Sequence, residues 1–246
     1  MRGVKRSVIS VAVLLSMTAC GKPATKPSED TGPGDGAARL ESAGSSGQVD
    51  PLRNAYFGET HVHTAFSLDA NIGGTRLTPS DAYRFAKGEV VPVDGEKRQK
   101  QRPLDFVAIS DHAEYIGEMY STMVEDAPGH DQELLEELRS LQTLEEKQQW
   151  FTKYVVSSNR SATPQHPPFF AGPETVRSAW QVAVDAAEEH NDPGRFTAFV
   201  AFEWSGAPQG ANLHRNVIYR DAHVPESPVS YIDVNREDGL WQWMAE

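Results

Sequence analysis

One cysteine, Cys20, stands in 246 residues, so no disulfide can form within the chain and covalent cross-links contribute nothing to its stability. Basic charge is scarce as well: 23 Lys and Arg against 35 Asp and Glu leave a formal net charge of -12. Phosphate backbones select clustered Lys and Arg, which makes nucleic acid a poor partner for this chain. An acidic substrate would need help from metal ions, and clustered carboxylates are what divalent cations neutralise. Long apolar runs are missing too. The stretch 8–15 is far shorter than the ~20 residues that cross a bilayer, and a composition of 39% apolar and 24% charged residues fits one sizeable globular domain.

Arg2, Lys5 and Arg6 precede that apolar stretch, and Met17-Thr18-Ala19-Cys20 follows it. Residues 1–20 therefore read as a secretory signal. The placement of Cys20 resembles the lipobox of bacterial lipoproteins, which implies cleavage before Cys20, lipidation of its sulfur, and a periplasmic or cell-envelope location with the membrane as anchor only. Met17 departs from the usual pattern, and ordinary signal cleavage is the alternative; both outcomes export the domain. Residues 21–50 are rich in Gly, Ser, Pro and Ala without a hydrophobic period, the composition of a flexible tether. The folded domain is expected over 51–246.

Within it, residues 54–58, 105–110, 196–202, 215–220 and, more weakly, 229–234 read as short, mostly apolar strands. Thr78 and Pro79 open a helix that Gly88 can end. The stretch 131–156 carries Leu134, Leu135, Leu138, Leu141, Trp150 and Tyr154 at helical steps, as one amphipathic helix or a broken pair. Gly172-Pro173-Glu174 opens another helix, closed near Asn191, and a further helix begins near Arg236. Residues 88–102 suggest a small hairpin with a solvated charge run, and residues 157–172 a loop. Strand, helix, strand, helix, strand is the order of a parallel α/β fold.

His61 and His63 stand two residues apart, so on a strand both imidazoles leave the same face and can converge on one ion. Taken alone, an H-x-H pair is equally read as two exposed histidines. Here a second strand ends in Ser110-Asp111-His112, a third ends in Glu203, and Ser67 and Asp69 follow His63. The C-terminal ends of parallel strands share one rim, where active sites of α/β barrels sit. Imidazole and carboxylate ligands suit Zn, Mn or Fe. Asp111 either orients a metal-bound histidine or water or caps a turn. Arg76, Arg215 and Asn216 either hold a substrate anion or pair with nearby carboxylates. His130, His166, His190 and His223 read as surface residues, and Trp180, Trp204 and Trp241 as core or rim.

The segments Tyr56-Phe57-Gly58-Glu59-Thr60-His61-Val62-His63-Thr64, Arg76-Leu77-Thr78-Pro79-Ser80-Asp81-Ala82-Tyr83-Arg84-Phe85-Ala86-Lys87-Gly88, Pro103-Leu104-Asp105-Phe106 through Asp111-His112-Ala113-Glu114-Tyr115, Glu203-Trp204-Ser205 and Asn212-Leu213-His214-Arg215-Asn216 resemble the polymerase and histidinol phosphatase (PHP) superfamily, and more closely the PHP-like DUF3604 family. That resemblance implies a distorted, TIM-like, seven-stranded β/α barrel that binds up to three divalent ions. It matches His61 and His63 to the first-motif histidines, His112 to the second-motif histidine, Glu203 to a carboxylate bridging two metals, and His214 to the histidine after it. Asp69 takes the place of the first-motif aspartate, although Leu68 separates it from Ser67 where typical members have Ser-Asp. The family also uses later histidines and a closing Asp-x-His, and only His223 follows His214, so the chain reads as the N-terminal part of such a barrel.

The expected activity is hydrolysis of a small-molecule phosphate ester, or sulfate ester, by metal-activated water, with Asp111 or a later histidine as acid or base. Two alternatives stand beside it: an exported metal- or ligand-binding lipoprotein without turnover, and a product whose open sheet edge aggregates. Substrate and oligomeric state are not legible in the sequence.

Overall fold

The computed structural model describes residues 54–161 and 163–246; the signal, Cys20 and the tether lie outside the described residues. Strand β1 (Gly58–Val62) leads into a short helix α1 (Leu68–Ile72), and α2 (Pro79–Ala86) follows. The start of α2 is fixed by a capping box: the Thr78 hydroxyl accepts from the Asp81 amide while the Asp81 carboxylate accepts from the Thr78 amide. Its end is marked by Gly88 at φ 81°, a left-handed position that glycine takes without steric penalty. The expected hairpin is present as β2 (Val91–Val93) and β3 (Glu96–Arg98), antiparallel, with β3 fully exposed.

Strand β4 (Phe106–Ile109) precedes α3 (Ile116–Met123). The stretch 131–156 proves to be broken: α4 (Glu133–Ser140), α5 (Leu144–Phe151), then a π-helical segment Thr152–Val156 and one short turn α6 (Ser157–Asn159). A second capping box, Thr143 with Glu146, starts α5 and separates it from α4. The long helix α7 (Pro173–His190) has Pro173 in its first turn, as expected. Strands β5 (Thr197–Gly206) and β6 (Leu213–Ile218) and helix α8 (Glu237–Ala245) complete the described chain.

The domain is mixed α/β, and its main sheet has the order β1-β4-β5-β6. β1, β4 and β5 are parallel, whereas β6 runs antiparallel to β5. The expectation of a parallel sheet throughout is thus corrected at its last strand. Only a short turn containing Pro208–Gly210 joins β5 to β6, and a parallel partner would need a crossover of a dozen residues or more. The strand expected over 229–234 is also corrected: that segment turns on Ser230, whose amide and hydroxyl donate to the Asp233 carboxylate. The first strand was expected over 54–58 and instead runs from Gly58 to Val62, which brings His61 inside it.

The sheet curls into a half-barrel. The Asn216 amide on β6 donates to the Thr60 carbonyl on β1 at 2.9 Å, so the two outer strands of the order approach each other across β4 and β5. One apolar cluster packs α2 and α7 against the sheet through Tyr83, Trp180, Val184, Val107, Val200 and Phe202. A side chain the size of Trp180 or Phe202 removes ~150–250 Å² from water, worth roughly 4–6 kcal/mol at ~25 cal/mol/Å². A second cluster joins α1, α3, α4 and α5 through Leu68, Met119, Leu135, Leu138 and Trp150. None of the described helices is long and apolar enough to cross a membrane.

Candidate metal centre

β1 pairs with β4 in a register that slips. Gly58 and Glu59 face Phe106 and Val107, yet Val62 faces Ile109, so β1 takes three steps where β4 takes two. The extra residue is a bulge across Thr60 and His61, a device that bends a strand and re-aims its side chains. It turns the His61 and His63 rings toward the strand ends, with ring centroids 4.9 Å apart. The β4–β5 register continues past the strand proper as a bridge between His112 and Glu203, which sets both residues at the same level of the rim. On β6, His214 faces Ser205, and antiparallel pairing puts it on the same side of the sheet as Glu203.

Glu203 is fully buried and lies at the centre. Its Oε2 is 2.7 Å from His63 Nε2, 3.1 Å from His61 Nε2 and 3.4 Å from His112 Nδ1. Its Oε1 faces His214 Nδ1 at 2.5 Å. Asp69 adds its two oxygens to His63 Nδ1 at 3.3 Å and His112 Nε2 at 3.5 Å. Six side chains expected to act together are thus brought together: His61, His63, Asp69, His112, Glu203 and His214.

Three groupings of these residues can hold a metal ion: His61, His63 and Glu203; His63, Asp69 and His112; and His112, Glu203 and His214. In the first, the ligand atoms form a triangle with edges of 3.1, 3.1 and 2.7 Å. Ligands at ~2.0–2.1 Å from a tetrahedral or octahedral ion stand roughly 2.9–3.4 Å apart; two edges of the triangle fall in that range and the third, His63 to Glu203, is slightly shorter. The first and third groupings share Glu203, whose Oε2 lies beside His61, His63 and His112 and whose Oε1 faces His214.

The charges in the cluster hold one another. Burial opposes the charge on His63, but the carboxylates of Asp69 and Glu203 outweigh it and raise its pKa to about 10. His112 is raised in the same way: burial opposes, Asp69 and Glu203 prevail. Glu203 and Asp69 are pushed below the usual carboxylate range despite burial, Glu203 by His214 and His63 and Asp69 by His112 and His63. Without a metal His63 and His112 therefore favour their protonated forms, and a divalent cation would displace those protons.

Asp111 is placed differently from the expectation that it acts as acid or base. Its buried carboxylate accepts from the Thr64 amide at 2.6 Å, the Thr64 hydroxyl at 2.7 Å and the Ser67 hydroxyl at 2.7 Å. Ser67 in turn accepts from the His112 amide. Burial raises the pKa of Asp111 against these bonds. The residue is a clamp that fixes the turn between His63 and Asp69 to the end of β4, and no hydrogen bond links its carboxylate to a histidine of the cluster.

The three expected anion-binding residues are engaged elsewhere. Arg76 donates to the carbonyls of Asn71 and Thr75. Arg215 alternates with His214 on β6, faces Trp204 and donates to the His214 carbonyl. Asn216 is the strut to Thr60. The cation that lines the pocket beside Asp69, His112 and His214 is Arg160, which follows α6 and forms no ion pair among the described residues. Nothing in the local sequence marks it, because its position depends on how the 144–159 helical run packs. Of the histidines read as surface residues, His190 is buried and bonded to the Ser80 hydroxyl at 2.7 Å. Trp180 and Trp204 are core residues, whereas Trp241 is exposed.

A curled α/β sheet with imidazoles and carboxylates gathered on one rim defines a domain whose side-chain clusters could hold metal ions. A family model described as "Protein of unknown function (DUF3604)" matches residues 50–246, and the chain belongs to that family. No curated protein and no solved structure matches the chain.

Proposed function

We propose that this chain is an exported, metal-dependent hydrolase of phosphate or sulfate esters, built on a PHP-like β/α barrel of which the curled sheet is a part. The observation that carries the reading is the fully buried Glu203, with Oε2 turned to His61 and His63 and Oε1 turned to His214. His61, His63 and Glu203 would hold one divalent ion, and His112, Glu203 and His214 a second, with Asp69 beside His63 and His112. Bound Zn, Mn or Fe supplies Lewis acidity and makes water a nucleophile near neutral pH.

The chain's own residues do the rest. Asp111 holds the turn after His63 so that Asp69 and His112 keep their separation. Arg160 places positive charge at the mouth, where an ester's non-bridging oxygens would arrive. Export by the N-terminal signal, with or without a lipid on Cys20, belongs to the same reading.

The test is an assay of the purified full chain, loaded separately with Zn, Mn and Fe, on 4-nitrophenyl phosphate, its bis-ester and 4-nitrophenyl sulfate. Turnover is expected with at least one ion, and Glu203→Gln should lower it by about 100-fold or more. A folded, metal-loaded protein that turns over none of these esters would replace this reading with that of a metal-binding protein without turnover.

A further inference from the structure

Away from the metal cluster, a pocket of about 390 Å³ opens where α1, α3, α4 and α5 meet. Arg76, Arg139 and Lys147 line it together with Asn71, Met123 and Leu138, and no carboxylate does. The chain carries 35 acidic against 23 basic residues, so three cations around one opening without a counter-charge run against its composition. None of the three forms an ion pair among the described residues, where the paired arginines are Arg84 and Arg236. Carboxylates close by in sequence are turned to other partners: Glu146 accepts from the Thr143 amide and hydroxyl, Glu137 from the Tyr154 hydroxyl and Asp81 from the Thr78 amide.

Two of the cations are pinned with donors to spare. Arg76 Nη1 donates to the Asn71 and Thr75 carbonyls at 2.8 and 2.6 Å, and Arg139 Nη1 donates to the His130 carbonyl at 2.8 Å. A guanidinium has five N–H donors, so Nε and Nη2 of both residues remain for another acceptor. Helix ends supply an ordinary reason for cations here, since Asn71, Met123 and Leu138 lie in the last turns of α1, α3 and α4. The negative pole of a helix amounts to about half an elementary charge, so three poles offset at most about 1.5 of the three positive charges. A surplus of positive charge is left at the opening.

We propose that this pocket binds a phosphate or diphosphate group, free or carried by a small organic molecule. Planar guanidinium forks match the paired oxygens of a phosphoryl group, and Lys147 adds a point charge. The volume lies within the ~300–1,000 Å³ of small-ligand pockets, and Met123 and Leu138 offer an apolar wall to a short carbon chain. Asn71 and Asp69 share helix α1, so the anion would brace the element that carries a residue of the metal cluster. The site stands apart from the hydrolase reading and does not rest on it.

The test is isothermal titration calorimetry of the purified full chain with inorganic phosphate, methylenediphosphonate and propylphosphonate, none of which an esterase cleaves. Titrations are run on the wild type, on a His61→Ala, His63→Ala variant that disables the metal cluster, and on Lys147→Gln, Lys147→Arg and Arg139→Gln. At least one probe should bind the wild type, and the histidine variant should retain that binding. Lys147→Gln and Arg139→Gln should each weaken it about 10-fold or more, the loss of one charge-assisted contact, while Lys147→Arg keeps it. Lys147 holds no other side-chain partner among the described residues, so its loss of binding should come with an unchanged melting temperature. Methylenediphosphonate binding ahead of phosphate would assign the site to a diphosphate, and propylphosphonate ahead of phosphate to a phosphorylated organic molecule. Absence of binding by every probe, or equal affinity in the wild type, Lys147→Gln and Arg139→Gln, would overturn the site. Binding lost in the histidine variant but kept in Lys147→Gln would overturn it too, by placing the anion at the metal cluster.

Discussion

Glu203 and Glu118 are both carboxylates without solvent exposure, and their surroundings send them in opposite directions. Imidazoles around Glu203 outweigh burial and hold it ionised. Glu118 on α3 has no cation beside it: burial raises its pKa to about 7, with only the Ala171 amide at 2.9 Å favouring the charge and Oε2 unpaired. An unfolded chain would ionise this residue near the ordinary 4.5. Between these values the folded protein keeps a proton that the unfolded one has lost, so Glu118's contribution is full below 4.5 and disappears as pH rises through about 7. Glu118→Gln should therefore stabilise the protein at pH 8 by up to about 3 kcal/mol and by much less at pH 5. Urea unfolding at the two pH values checks this, and an equal effect at both would show that Glu118 is not held neutral.

Elements with their own signals were legible in the sequence. The capping box at Thr78, Pro173 at the head of α7 and the leucine spacing of α4 all act within one or two turns. Those fixed by tertiary contacts were not. The Ser67 hydroxyl at the start of α1 bonds to Asp111 rather than capping its own helix, and α3 starts from left-handed Tyr115. The β1 boundary was misplaced because the bulge that sets it exists only against β4. α3 and α7 meet at Gly117, where an added Cβ would lie 2.6 Å from the Thr175 carbonyl carbon and 2.7 Å from the Val176 nitrogen. Alanine normally stabilises a helix interior by roughly 0.5–1 kcal/mol over glycine. Here Gly117→Ala should instead destabilise by about 1–3 kcal/mol, since backbone must move. A gain in melting temperature would show that the two helices do not approach this closely.

For the whole molecule, the sequence announced the site better than it announced the pocket beside it. His61 and His63 fall at the end of β1 and His112 just past β4, and the parallel β4–β5 direction carries His112 level with Glu203, which lies within β5 rather than at the strand end the sequence suggests. His214 arrives by an antiparallel pairing that spacing does not reveal. Arg160 comes from the end of a π-helical run, which has no sequence code. The central claim, that Glu203 lies between two ion sites, is tested most directly by metal content. Plasma mass spectrometry of the purified full chain should find about two or more transition-metal ions per wild-type chain and about one or fewer in Glu203→Gln. A folded wild-type protein with no bound transition metal, or a variant that keeps the full complement, would contradict the account.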